Sequence, residues 1–156
     1  MHPAVAMDVE WLRKAVEKLC RGNEHIVAVV LFGSRARGEA GEYSDVDLFV
    51  LTRGLQHLKR PERAVHVYKV LSSLAFPNGL TVVDMDLEEF KKLRRLTSLL
   101  LNILWDGVVL YDKTGGLVEK MFTELKRRIT SSGLKRVKVG RVYVWDLPKP
   151  AKPVKI

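Results

Sequence analysis

The residues of this chain that are best suited to chemistry lie between positions 33 and 48. The segment Gly33–Gly38 combines a glycine-serine turn with two arginines, and the segment Ser44–Leu48 carries two alternating aspartates. Glycine lets a backbone approach a ligand closely, while serine and arginine donate hydrogen bonds to phosphate oxygens. Carboxylates are ligands that Mg²⁺ prefers. These residue types therefore predict a site for a polyphosphate and its metal ions, as a nucleotide-handling enzyme requires.

The two aspartates, Asp45 and Asp47, fall in a predicted strand that covers residues 44–52. Side chains alternate along a strand, so both carboxylates point to the face that also carries Phe49 and Leu51. Their Cα atoms are then about 6.6 Å apart, which allows both to reach the same pair of Mg²⁺ ions. Two such ions can bridge the phosphates of a nucleotide, activate an attacking hydroxyl and neutralise the leaving pyrophosphate.

A third carboxylate normally completes such a site, as general base or as a ligand of the metal that activates the hydroxyl. The next predicted strand, residues 80–87, offers Asp84 and Asp86. Asp86 precedes Leu-Glu-Glu, which is typical of a helix N-cap with acidic residues in the first turn. We therefore predict that Asp84 is the third catalytic and metal-binding residue, and Asp86 stays as an alternative.

The phosphate side of the site is predicted at Gly33 and Ser34, directly after the apolar run Ile26–Phe32. That run is typical of a strand buried on both faces. If Ser34 begins a helical turn, its amide, its hydroxyl and the helix dipole all attract phosphate. Arg35 and Arg37 are two residues apart in a turn and cannot both face the phosphate, so Arg37 is preferred. Gly33, Ser34 and Arg37 are the predicted nucleotide-binding residues.

The rest of the sequence alternates predicted helices and strands, which indicates an α/β or α+β domain with its site at strand ends. After the last helix, a strand or hairpin is predicted around Gly140, followed by a mobile, extended tail with three prolines. The remaining predictions are helices at residues 7–21, from Pro61 to about 75, 88–96, 98–105 and 116–130, and a strand at 108–111.

The composition narrows the class of protein. A chain of 156 residues with 47% hydrophobic residues predicts one domain with its own core. The single cysteine, Cys20, has no disulfide partner, and no apolar run approaches the ~20 residues of a membrane span. Because no secretory leader pattern is present either, these features predict a cytoplasmic protein that does not contact a membrane.

The net charge of +9 predicts an attraction for phosphate-bearing partners. From Leu134 onward, seven basic residues accompany one acidic residue, Asp146. A solvated basic surface explains this excess better than a nucleic-acid site, because no aromatic stacking platform interleaves with the charges. Nucleic acid is therefore a less favoured partner.

The ordered motifs resemble the minimal nucleotidyltransferases of the DNA polymerase β superfamily, whose signature is Gly-Ser, a loop and Asp-x-Asp. The match lies at residues 33–39 and 44–48, and residues 89–112 and 143–147 are also similar to archaeal or bacterial members. The resemblance implies a mixed sheet flanked by helices. It also implies a nucleotidyltransferase domain at residues 1–112, with residues 113–156 adding a helix, a strand and the basic tail on the same domain.

The resemblance further implies a reaction. An NTP, with ATP preferred, would donate its nucleoside monophosphate to an acceptor hydroxyl and release pyrophosphate, with two Mg²⁺ ions as cofactors. Ser34 would bind phosphate, and Asp45 and Asp47 would bind metal. Some relatives are antitoxins that adenylylate a helical toxin of the HEPN class, so such a partner is an expectation here, and a homo-oligomer stays open.

The sequence departs from these relatives at one position. In a gapless comparison their third aspartate falls on Thr81, whereas a shift of three residues places it on Asp84. If Thr81 is the counterpart, the set of carboxylates is incomplete. The alternative function is then a non-catalytic binding or regulatory module of the same fold, such as an antitoxin-like partner of a toxin or a nucleic-acid-binding protein.

Overall fold

A four-stranded mixed sheet in the order β3-β2-β1-β5 forms the centre of the protein. Strand β1 (Ile26–Phe32) pairs antiparallel with β2 (Val46–Thr52) and with β5 (Val108–Asp112), whereas β2 pairs parallel with β3 (Leu80–Asp86). This computed structural model describes residues 8–149 and 152–156. All seven residues of β1 are buried, as the continuous apolar run predicts.

Helices cover both faces of the sheet, and a helix crosses from β2 to β3. In the described part of the chain no helix has the length and apolar content needed to cross a bilayer. The helices are α1 (Val9–Cys20), α2 (Gly33–Arg37), α3 (Arg60–Ser72), α4 (Leu87–Lys91), α5 (Ser98–Asp106) and α6 (Leu117–Ser131). The mixed sheet flanked by helices confirms the predicted fold class.

The alternation of side chains divides the core into two layers. On one face, Leu48 and Val50 of β2 pack with Val16 of α1 and Val67 of α3. On the opposite face, the core consists of Phe49 and Leu51 together with residues of α4, α5 and α6. Asp47 lies on the face of Phe49, as alternation predicts, whereas Asp45 precedes the strand, which begins at Val46. The second layer is the one that positions the candidate site.

Two short ribbons lie outside the main sheet. In the hairpin of β6 (Arg136–Val139) and β7 (Val142–Trp145), one face packs on α5 through Trp145, which is 4% exposed. The indole Nε1 of Trp145 donates to Asn102 Oδ1 at 2.8 Å. The opposite face carries four solvent-exposed valines, namely Val137, Val139, Val142 and Val144. The hairpin is therefore held by its aromatic face.

Two predicted segments differ from the structure. The helix predicted at 88–96 ends at Lys91, and Arg95–Leu96 forms strand β4. The tail prediction is wrong for Val154–Lys155, because these residues form β8 and pair with β4. Burial of Leu96, with Val154 packed against the same core, explains both differences. Residue 7 of the first predicted helix and residues 150 and 151 of the tail lie outside the described residues.

Burial of Cys20 predicts an unreactive thiol. The side chain is fully buried at the end of α1, and burial raises its pKa to about 12. Since the thiolate is the reactive form, we expect a disulfide reagent at mildly alkaline pH to leave the native protein unmodified. The same reagent should modify one thiol per chain in guanidinium chloride, which absorbance of the released thiolate measures. Rapid stoichiometric reaction of the native protein would contradict this placement.

Candidate active site

Asp45 and Asp47 lie at the end of the sheet where β1 passes into α2. Asp47 stands opposite Phe32, the last residue of β1, and on its other side it stands opposite Thr81 of β3. Asp45 directly precedes β2 and is exposed, whereas Asp47 is partly buried. The carboxylates are therefore close to the Gly33-Ser34 turn, as the motif predicts.

A glycine lies against each carboxylate. At Gly33, whose φ is +75°, an added Cβ would stand 2.1 Å from Asp47 Oδ2. At Gly79, whose φ is +121°, an added Cβ would stand 2.8 Å from Asp45 Oδ1. Both positions thus require glycine for backbone conformation and for space. In the sequence, the dipeptide Asn78-Gly79 carries no signal beyond that of a turn.

The electrostatics of the pair favour a cation. Burial raises the pKa of Asp47, and the negative charge of Asp45 raises it further. The Thr81 hydroxyl and the positive charges of Arg37 and Arg35 act in the opposite direction. The two adjacent carboxylates repel each other, and each lies against a glycine backbone rather than in an ion pair. This arrangement fits a divalent cation, which takes oxygen ligands.

Ser34 lies in the single turn of α2. The helix ends at Gly38, whose backbone N–H donates to Ser34 O and whose φ is +73°. Ser34 also lines a cleft of about 670 Å³ beside this turn. The predicted phosphate-binding serine is thus in a helical turn and faces a space of ligand size.

The two arginines of the motif have different roles. Arg35 Nη2 donates to Ser44 O at 2.7 Å, which fixes the loop immediately before Asp45. Arg37 lines the cleft, and its Nη1 donates to Asp106 Oδ2 at 3.1 Å. Of the two arginines, Arg37 lines the cleft together with Ser34; its assignment as a nucleotide-binding residue stays a prediction.

Asp84 is not part of this cluster, which corrects its predicted role as third carboxylate. In the parallel register Asp84 stands opposite Val50, and both residues belong to the face that α1 and α3 cover. The Nε of Arg63 in α3 donates to Asp84 Oδ2 at 2.5 Å, and the two side chains are only 10% and 9% exposed. Asp84 thus has a structural ion pair on the side of the sheet opposite to Asp47.

The remaining candidates on β3 are also explained. Asp86 accepts hydrogen bonds from the backbone of Glu88 at 3.0 Å and Glu89 at 3.3 Å, so it is the N-cap of α4. Thr81, not an aspartate, is the neighbour of Asp47 on β3. Within the described residues no group of three His, Cys, Asp or Glu side chains could hold a metal ion. The site thus has two carboxylates, with a threonine beside them.

The far wall of the cleft comes from the C-terminal hairpin, which sequence analysis did not connect with the site. Lys138 and Arg141 line the same cleft as Ser34. Alternation predicted the hairpin itself, but its packing on α2 and α5 depends on side chains far apart in sequence. The complete lining consists of Ser34, Arg37, Glu39, Gly41, Glu42, Tyr43, Ser44, Lys138 and Arg141.

Two comparisons with known proteins, one with a family model and one with a related protein, indicate the same family. Residues 14–115 match the family model described as "Polymerase beta, Nucleotidyltransferase". A relative from Methanocaldococcus jannaschii, named "Putative protein adenylyltransferase", is 31% identical over 109 residues, which cover 67% of this chain and 69% of the relative. The matched region includes the whole central sheet and ends before the C-terminal hairpin.

Two solved structures have a similar fold. A "putative nucleotidyltransferase" from Sulfolobus solfataricus has a TM-score of 0.45 at 20% identity, covering 69% of this chain and 82% of that one. An antitoxin in complex with a tri-AMPylated HEPN toxin from Shewanella oneidensis has a TM-score of 0.40 at 19% identity, with coverages of 80% and 94%.

The contact between Asp47 and Gly33 predicts that alanine lowers the free energy of unfolding more at Gly33 than at Gly38, the C-cap of α2. Gly33 and Gly38 have nearly the same positive φ, but an added Cβ meets Asp47 only at Gly33 and nothing within 4 Å at Gly38. We expect Gly38→Ala to cost about 1 to 2 kcal/mol of unfolding free energy from backbone strain alone. Gly33→Ala should cost more, because the carboxylate must also move.

Urea unfolding of both variants measures this difference. Equal losses of stability in Gly33→Ala and Gly38→Ala would show that Asp47 does not occupy the seat described here.

Proposed function

The chain belongs to the polymerase beta nucleotidyltransferase family, and from this premise we propose that it transfers a nucleoside monophosphate from an NTP to an acceptor hydroxyl. ATP is the proposed donor, and pyrophosphate is the second product. The observation that carries the proposal is the pair Asp45 and Asp47, each seated against a glycine beside the turn of Ser34.

Each residue of the site has a proposed task. Asp45 and Asp47 would hold Mg²⁺, which when bound neutralises phosphate charge and promotes attack by the acceptor oxygen. Ser34 and Arg37 would bind phosphate oxygens through charge-assisted hydrogen bonds and so orient the α-phosphorus. The acceptor hydroxyl then loses its proton to solvent as its oxygen bonds to the α-phosphorus, and the bond from that phosphorus to the bridging oxygen of pyrophosphate breaks.

We propose a protein hydroxyl as the acceptor. The support is the name of the Methanocaldococcus relative, "Putative protein adenylyltransferase", together with its 31% identity over 109 residues. A cleft lined by two charged walls is open enough to admit a side chain next to a nucleotide. The helical HEPN-type partner expected from the sequence stays a prediction, and co-purification with a neighbouring gene product tests it.

A second candidate function is nucleotide binding without turnover. The observation that favours it is Thr81 beside Asp47, at the position where a third carboxylate would complete the set. Such a module would bind an NTP but release no pyrophosphate with any acceptor. Binding and turnover therefore have to be measured separately.

Asp47 of β2 and Asp84 of β3 lie on opposite faces of the sheet. Their asparagine variants therefore form a matched pair. We expect Asp47→Asn to abolish pyrophosphate release and the Mg²⁺ dependence of ATP binding, because one of two ligand carboxylates is lost. Asp84→Asn should lower the unfolding midpoint, because Arg63 keeps a buried charge without its partner. Below that midpoint its turnover per folded molecule should match the wild type.

Coupled pyrophosphate detection and ATP titration with and without Mg²⁺ give the two readouts. Unchanged turnover in Asp47→Asn would overturn the proposed reaction. Loss of turnover in a fully folded Asp84→Asn protein would instead return Asp84 to the catalytic set. Mg²⁺-dependent binding without pyrophosphate release in the wild type would favour the second candidate.

A further inference from the structure

The hairpin of β6 and β7 is a fixed wall of the cleft, although it lies beyond the region that matches the family model. The Oη of Tyr143 in β7 donates to Glu39 Oε1 at 2.6 Å, just after the end of α2. The centroid of the same ring lies 4.6 Å from the guanidinium carbon of Arg37 and 4.2 Å from that of Arg136. The hairpin thus contacts the phosphate-binding motif directly.

A buried carboxylate reinforces this attachment. Asp106 at the end of α5 is 5% exposed, and its Oδ2 accepts from Arg37 Nη1 at 3.1 Å and from Arg136 Nη1 at 2.8 Å. One atom therefore links the motif helix to the hairpin. Charge-assisted hydrogen bonds in a largely buried place hold their partners more firmly than surface pairs do.

The wall that the hairpin presents to the cleft is positively charged. Lys138 stands opposite Tyr143 in the ribbon and so points to the inner face, and Arg141 lies in the turn. Neither forms a salt bridge with a carboxylate in the described part of the chain. Of the acidic residues in the cleft, Glu39 is already engaged by Tyr143 and Arg37, and these contacts lower its pKa.

We propose that Lys138 and Arg141 bind the phosphates of a nucleoside triphosphate whose α-phosphate lies at the Gly33-Ser34 turn. The proposal rests on the proposed function for the position of the nucleotide. The volume of the cleft, about 670 Å³, is within the usual range for ligand pockets, and Lys138 and Arg141 line it together with Ser34. Arginine and lysine differ in hydration but both bind phosphate, one as a fork and one as a point charge.

Titration calorimetry on a double variant tests the proposal. The probes are MgATP and, in the presence of a chelator, inorganic tripolyphosphate, which needs neither metal nor turnover. We expect Lys138→Ala/Arg141→Ala to bind both probes at least about tenfold more weakly, since two charge-assisted contacts are lost. The weakened binding should also depend less on salt concentration.

A charge-matched control separates a site from a general charge effect. Lys14→Ala/Lys18→Ala removes the same charge from exposed positions of α1, which covers the other face of the sheet. This control should bind both probes like the wild type. Wild-type affinity in the hairpin variant, or an equal loss in the control, would overturn the proposal.

The two probes also separate this proposal from the proposed function. Asp47→Asn should lose Mg²⁺-dependent ATP binding but keep metal-free tripolyphosphate binding. Suppose that the wild type releases no pyrophosphate but that the hairpin variant binds tripolyphosphate more weakly. The proposed reaction is then wrong, and the proposed phosphate binding by Lys138 and Arg141 is supported. If turnover depends on Asp47 but the hairpin variant binds tripolyphosphate like the wild type, the proposed reaction is supported. The proposed phosphate binding by Lys138 and Arg141 is then wrong.

Discussion

The seat of the Asp47 carboxylate against Gly33 is the constraint on which the rest of the site depends. At Gly33, strand β1 ends, the backbone adopts a positive φ and α2 begins. Asp47 Oδ2 of the neighbouring strand lies against this same residue. The pairing of Phe32 with Asp47 sets this meeting point. Because β1 and most of β2 are buried, apolar packing of these strands fixes the backbone that carries the carboxylate.

The parallel register between β2 and β3 decides the composition of the site. It puts Thr81 beside Asp47 and turns Asp84 toward α3, where Arg63 neutralises it. A shift by one residue would exchange the two faces of β3, bury Thr81 and bring Asp84 toward the other layer. The buried pair of Arg63 and Asp84 opposes this shift, because separating them would leave charges uncompensated. The feature that removes Asp84 from the site therefore also stabilises the strand beside it.

Local patterns predicted most of the fold, since apolar periodicity and turn residues are properties of short segments. The face of Asp47, shared with Phe49 and Leu51, follows in the same way from alternation within one strand. Which face Asp84 occupies depends on pairing between strands that are distant in sequence, and no local pattern encodes it. Asp106 and Tyr143 were missed for the same reason: each has a hydrogen-bond partner in the motif region that is more than 60 residues away.

Asp106 connects the part of the chain outside the family match with the motif inside it. Its carboxylate is satisfied by both guanidinium groups only when α2, α5 and the hairpin are in place together. Displacing the hairpin would leave a nearly buried carboxylate with one partner and release the ring of Tyr143 from Arg37. The orientation of Arg37 at the cleft is thus energetically coupled to the position of Lys138. Consequently, changes in the hairpin can alter which ligands the cleft accepts while Gly33, Ser34 and the two aspartates stay the same.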